Sequence, residues 1–203
     1  VKNNYLLLEN KLQCKLLYEC NILKIHKSES ALEDWQKAED TIDLKSFIDT
    51  NFDVKQFNRF LDFRYGAVKI NHALRIDTTM LIDKYFEFIN TKLIKGNVDH
   101  DEIKISENAI SYQGENYKYI VFCEGVSAVK NPWYKNIPFK PAKGECMIIE
   151  MHNFSTEMIS HKGIILIPLG ENKYWAGATN SWDDLSTEPT SSGNLELETG
   201  LQQ

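Results

Sequence analysis

The stretch Ile120-Val121-Phe122-Cys123-Glu124-Gly125, followed by Pro138-Phe139-Lys140-Pro141-Ala142-Lys143-Gly144-Glu145 and then by Tyr174-Trp175-Ala176-Gly177-Ala178-Thr179, decides how this chain is read. The first segment has the look of a short, buried apolar strand running into a glycine. Glycine has no side chain to hold a ligand away, so backbone can approach one closely there. The second segment leads tightly into a strand, and the third reads as a strand with no room for bulk at Gly177. Each piece alone is an ordinary strand end; order and spacing carry the signal.

Size and charge narrow the rest. A chain of 203 residues buries a real core as one large domain or two small ones. Its net charge of -6, from 29 acidic and 23 basic residues, argues against nucleic acid as a partner, because that affinity rests on clustered Lys and Arg. No stretch approaches the roughly 18 to 20 apolar residues of a membrane span, and the first residues lack a basic region followed by an apolar one. The expectation is a cytoplasmic protein without a transmembrane segment. Cys14, Cys20, Cys123 and Cys146 have no C-x-x-C spacing, and the latter two fall in apolar stretches where a thiol acts as a small hydrophobe. His26, His72, His100, His152 and His161 are scattered without the helical spacing of metal ligands, so no metal is expected and solvated or capping roles are.

Along the chain, residues 5–12 read as a short helix, and 16–18 and 22–26 as a hairpin around the polar tip Glu19-Cys20-Asn21. Ser30-Ala31-Leu32-Glu33 has the spacing of a capping box, with a helix following through Trp35. Asp53-Val54-Lys55-Gln56 repeats it ahead of Phe57, Phe60 and Leu61, while residues 40–51 give at most a turn or two of helix near 44–48. Strands are expected at 67–70 and 73–76. Asp77 then caps a helix whose Leu81, Tyr85, Phe88, Ile89 and Leu93 form an apolar stripe able to pack on a sheet. Residues 103–105, 109–112 and 117–123 fit a three-stranded meander. A proline-stiffened extended connector covers 131–143. Strands at 146–151, 163–169 and 173–179 follow, the last two joined at Gly170-Glu171-Asn172, and the tail from Ser186 carries Leu195, Leu197 and Leu201 at the start of a helix that nothing completes.

This order resembles the D-amino-acid oxidase-like family of FAD-dependent oxidoreductases. Residues 120–128 and 138–145 look like its strand and "P-x-x-P-x-R/K-G-Q/E" run. Ile165-Leu166-Ile167-Pro168, the turn at 170–173, residues 174–179 and Trp182-Asp183 are similar to its strand, "D-G-R/K" turn and "W/I-x-G-A/G-T" strand. Upstream, Gly66-Ala67-Val68, Ile76-Asp77 and the helix over 79–93 look like its "v-D-p" segment. The family's G-x-G-x-x-G fingerprint is absent, so no helix start here is marked for the FAD pyrophosphate, and the resemblance implies an internal piece or a degenerate member.

The resemblance implies an α+β fold: a mixed, largely antiparallel substrate-domain sheet covered by helices, with a small inserted β-meander belonging to the FAD-binding domain. Residues 1–93 and 129–185 would form a discontinuous substrate-binding domain, 94–128 a partial FAD-domain meander and strand, and 186–203 a tail beginning a truncated helix. It implies FAD in the intact protein and oxidation of the C–N bond of an amine or amino acid by hydride transfer, which needs positioning and no catalytic nucleophile. Cys123, Glu124, Gly125 and Ile103 are its candidate cofactor neighbours. Glu124 stands where the family prefers a small residue, and would face ribose favourably or phosphate unfavourably. Lys143, Gly144, Tyr174, Trp175 and Thr179 are its candidate substrate neighbours; strand alternation allows only one of Tyr174 and Trp175 to line a cavity. A non-catalytic α+β binding module is the alternative.

Overall fold

The computed structural model describes residues 1–41, 44–49, 51–57, 59–89 and 93–202. Helix α1 (Lys2–Leu12) ends where Gln13 turns left-handed at φ 51°. The Glu9 carboxylate then accepts the amides of Leu16 and Leu17, both at 2.8 Å, and fixes the reversal into strand β1 (Leu17–Ile25). The hairpin expected over 16–26 is therefore one continuous strand. Helix α2 (Glu29–Thr41) follows, and its cap is Ser28, whose Oγ accepts from the Ala31 amide, rather than Ser30. Strand β2 (Ile48–Asp49) is preceded by a single 3-10 turn, Lys45–Phe47, near the expected place. Asp53 accepts from the Lys55 amide to start only another 3-10 turn, Val54–Phe57; the side chain of Gln56 lies outside the described residues.

Strand β3 (Ala67–Ile76) is also one strand where two were expected. It runs antiparallel to β1 from Leu17↔Ile76 to Ile25↔Ala67, with three steps of β3 against two of β1 between Cys20↔Ala73 and Ile22↔Ile70. His72 takes up the extra residue at φ 62°. Such a bulge switches strand phase, so Ala67 and Lys69 share a face with Leu74 and Ile76. A sequence break at Asn71-His72 marks the bulge, not a turn.

Helix α3 (Thr78–Ile89) starts as expected, the Asp77 Oδ1 accepting from the Met80 amide. Asn90, Thr91 and Lys92 lie outside the described residues. Its apolar stripe does not pack on the sheet: none of its residues is buried, Tyr85 and Phe88 are 44% and 51% exposed, and the helix lies beside α1 with Lys11 over the Phe88 ring. Strands β4 (Lys104–Ile105), β5 (Ile110–Tyr112) and β6 (Glu115–Tyr117) form a separate three-stranded sheet. The turn at Gln113 (φ 51°) and Gly114 (φ 83°) is a two-residue hairpin turn that places the last strand at 115–117, not 117–123. Residues 120–123 pair with no strand among the described residues, and Val121 is 81% exposed. The buried strand expected there is a largely exposed segment outside both sheets, and Cys123 is exposed with it.

The connector expected over 131–143 is also less extended in its first half. A 3-10 segment, Gly125–Lys130, runs into successive turns in which Asn131, Tyr134 and Ile137 each donate to a carbonyl three residues back. Strands β7 (Cys146–Glu150), β8 (Ile159–Lys162), β9 (Ile164–Gly170) and β10 (Lys173–Gly177) complete a seven-stranded sheet in the order β2-β3-β1-β8-β9-β10-β7. All pairings are antiparallel except β1 with β8. The tail forms helix α4 (Ser191–Leu201), capped by Thr190 and pinned by a buried Leu197, so the leucines that open it are completed as three turns.

One face of the large sheet carries the core cluster. Leu23, Ile25 and Tyr174 on that face pack with Phe57 and Phe154, with Phe52, Leu61, Phe63 and Met158 around them. Each such side chain contributes about 2 kcal/mol on burial. No helix among the described residues is long and apolar enough to cross a membrane.

Candidate functional site

The opposite face of the sheet is open. Direct cross-strand partners share a face, so the register sets out its rows. Val68, Lys24, His161, Ile165, Gly177 and Cys146 form one row, each paired with the next. Beside it run Ile22 with Ile159, and Ile167 with Trp175 and Ile148. On β7 the alternation is plain: Cys146, Ile148 and Glu150 are exposed while Met147 and Ile149 are half-buried. Apolar side chains such as Ile148 thus face outward here, opposite the face that carries the core cluster.

Gly177 is required in this row. A Cβ there would lie 2.7 Å from the Trp175 indole and 2.9 Å from the Cys146 Cβ, because Trp175 folds over the glycine. Lys24 Nζ lies 3.4 Å from His161 Nδ1. Burial, and then the charge of Lys27, lower the Lys24 pKa; burial, Lys24 and Lys27 lower that of His161.

Of the substrate-side candidates, Trp175 is on the open face. Tyr174 points into the core, its hydroxyl donating to the Phe154 carbonyl at 2.9 Å. Thr179 is buried, with Oγ1 accepting the Glu145 amide, and Gly144 packs against the Thr179 carbonyl and Ala178. Lys143 is enclosed in a polar network: its ammonium donates to Asp184 at 2.7 Å and to Ser186, and lies 3.4 Å from Glu145. The bond from Lys143 first, with the Ser186 amide and hydroxyl, holds the Asp184 carboxyl at about 2. Glu145 in turn accepts the backbone amide and the hydroxyl of Thr190, both at 2.7 Å, at the start of α4; those bonds hold its pKa low. A carboxylate at a helix N-terminus is favoured by the unpaired amides there.

The cofactor-side candidates gather elsewhere. Glu124 turns away from the exposed segment: Oε1 lies 2.6 Å from His100 Nε2 and Oε2 accepts from Asn131 Nδ2 at 2.7 Å. The Asn131 bond first, then His100, lowers its pKa. His100 meets the stacked rings of Phe122 and Trp133 edge-on. Gly125 takes φ 56° with open space where a Cβ would stand, and Ile103 is buried. The structure therefore joins Glu124 to His100 and Asn131, neither of which the sequence singled out. His26, expected to be solvated or capping, is buried against Trp35. Lys24 and His161 were equally unmarked, since β8 was not foreseen and only its parallel pairing with β1 brings them together.

A seven-stranded sheet whose strands come from both halves of the chain, beside a small meander, is a specific arrangement. No family model matches the sequence. Solved structures match the fold: glycine oxidase from Geobacillus kaustophilus aligns over 97% of this chain and 57% of its own, with TM-score 0.76 at 13% identity. Iminodiacetate oxidase from Chelativorans sp. BNC1 aligns over 98% and 61%, with TM-score 0.73 at 14% identity. This chain has the D-amino-acid oxidase-like fold. L-proline dehydrogenase from P. horikoshii shares it, with TM-score 0.65 at 13% identity over 98% of this chain and 59% of its own. The chain thus spans about three fifths of the length of the oxidase-like structures it matches. Within that fold the open face carrying Trp175 and the exposed segment at 120–125 are both uncovered among the described residues.

Proposed function

We propose that this chain is the substrate-side part of an FAD-dependent oxidoreductase that oxidises the C–N bond of a small amine or amino acid in the cytoplasm. The observation that carries the reading is the open apolar face of a sheet built from both halves of the chain, in a fold shared with amino-acid and amine oxidases. Residues 1–93 and 129–185 would serve as the substrate-binding domain, 94–128 as part of the FAD domain, and 186–203 as the tail leading onward.

The residues present fit a flavin nucleotide at one edge. The unpaired backbone of 120–123 and the open Gly125 can approach a ligand closely. Glu124, engaged by His100 and Asn131, is turned away from that approach, which removes the repulsion its charge would exert on phosphate. Cys123, Glu124 and Gly125 would border the cofactor through backbone, with Ile103 behind them. When bound, the flavin supplies the hydride acceptor. Trp175, Ile148, Ile165 and Ile167 exclude water from the substrate and fix its orientation, while Lys143, Gly144, Tyr174 and Thr179 support that face from within.

The test is the protein expressed from its complete reading frame. It should be yellow, and the flavin absorbance should bleach anaerobically with one member of a panel of amines and amino acids. A colourless, correctly folded product with no flavin uptake would instead favour a non-catalytic binding module.

A further inference from the structure

Glu124 is the one acid in the stretch from Ile120 to Gly125, and both of its oxygens are held from outside that stretch. Oε1 lies 2.6 Å from His100 Nε2, and Oε2 accepts from Asn131 Nδ2 at 2.7 Å. Among the described residues no Lys or Arg stands within ion-pair distance of it. The two partners are themselves fixed. Asn131 is 1% exposed; its Oδ1 accepts the Trp133 amide at 2.9 Å, its own amide donates to the Ala128 carbonyl, and its carbonyl accepts the Tyr134 amide. His100 is packed edge-on against the rings of Phe122 and Trp133, and its carbonyl accepts the Ile103 amide at the end of the turn that Asp99 caps. Glu124 and Asn131 flank the segment Gly125–Lys130, so their bond also closes that segment at both ends. Hydrogen bonds to an ionised carboxylate are short and strong, and a half-buried side chain engaged on both oxygens has little freedom to swing. Without them the charge would stand beside the open Gly125, where it would repel any like charge brought within a few ångströms.

We infer that His100 and Asn131 are positioning residues for the cofactor: by holding the Glu124 carboxylate back they keep the backbone of 120–125 open to a phosphate-bearing flavin nucleotide, and loosening either one turns Glu124 into a barrier against it. This rests on the reading of that segment as the flavin border, and adds that uptake depends on a clamp lying outside the segment. Neither His100 nor Asn131 has to touch the nucleotide. The other charges near His100 are Asp99 and Asp101 on its own turn and Lys130, which lines the same cavity.

The test is FAD affinity, measured by flavin fluorescence on the deflavinated protein from the complete reading frame. His100→Phe keeps a ring between Phe122 and Trp133 but removes the hydrogen-bond donor, and should weaken FAD by about ten-fold or more. Asn131→Leu should act in the same direction. Glu124→Gln should bind FAD at least as tightly as the parent, and added to His100→Phe it should restore affinity to within about three-fold of the parent, because the released charge does the harm. For the same reason the gap between His100→Phe and the parent should narrow between about 0.01 M and about 1 M salt. A second readout needs no flavin: by carbon-13 NMR the Glu124 carboxyl should titrate at lower pH in the parent than in His100→Phe. Equal FAD affinity in the parent and His100→Phe overturns the inference. So does a loss that Glu124→Gln fails to rescue, which would make the clamp a structural pin only, and so does a Glu124 carboxyl that titrates alike in both proteins. If one of His100→Phe and Asn131→Leu loses its cooperative urea transition, the other decides. A parent that takes up no flavin overturns the oxidoreductase reading and this inference together, whereas uptake indifferent to the clamp overturns the inference alone.

Discussion

Gly177 shows how one residue type can be dictated by its neighbours. With the Trp175 indole on one side and Cys146 on the other, a methyl group has nowhere to go. Gly177→Ala should cost about 1 to 3 kcal/mol through overpacking, read as a lower urea midpoint with an unchanged denaturant slope. Asp184 offers a different test. Its carboxyl is held at about 2 against an ordinary 3.8, so the unfolded chain binds more protons in that interval. The stability this contributes is present above 3.8 and is lost as pH falls towards 2. Asp184→Asn should flatten the acid limb of stability there, measured by urea unfolding at stepped pH, and Lys143→Met should act likewise because Lys143 is the leading cause of the shift.

At the scale of elements, the cap of α4 and the face of α3 make opposite predictions. Thr190→Ala removes the side chain that accepts the Gly193 amide and should cost about 1 kcal/mol. Ile82→Glu on α3 changes a side chain already 51% exposed and should leave the unfolding free energy of the 203-residue chain, from urea titration, within about 0.5 kcal/mol of the parent. The caps at Asp77, the strands at 146–150, 164–170 and 173–177, and the tight site at Gly177 were legible because local chemistry decides them. The bulge at His72 was not, since a polar pair inside an apolar stretch reads the same way in a turn. Strand β8 was missed because Ile159-Ser160-His161-Lys162 has one apolar member, and its identity as a strand comes from flanking β1 and β9. The segment 120–123 was read as buried from its composition alone, yet burial needs a covering partner, and none of the described residues supplies one. Lys24 and His161 are 137 residues apart, a separation across which a single sequence carries no signal.

For the whole molecule, the decisive feature is the parallel seam where Ile22, Leu23 and Lys24 meet Ile159, Ser160 and His161. Among the described residues it is the only place where strands from the first 76 residues touch those from 146 onward in the large sheet. Bringing such remote stretches together forfeits chain entropy before any contact repays it, which makes folding slow and late. A nascent chain halted before Ile159 leaves Leu23 and Ile25 without the flanking strand β8 and without Tyr174, a partly built core open to chaperones and to proteases. Pulse proteolysis of ribosome-stalled chains should find protection of the β1–β3 pair only once β8 and β9 have left the exit tunnel. The same seam then couples the fates of the two halves, so damage at either end is felt across the sheet as one cooperative loss.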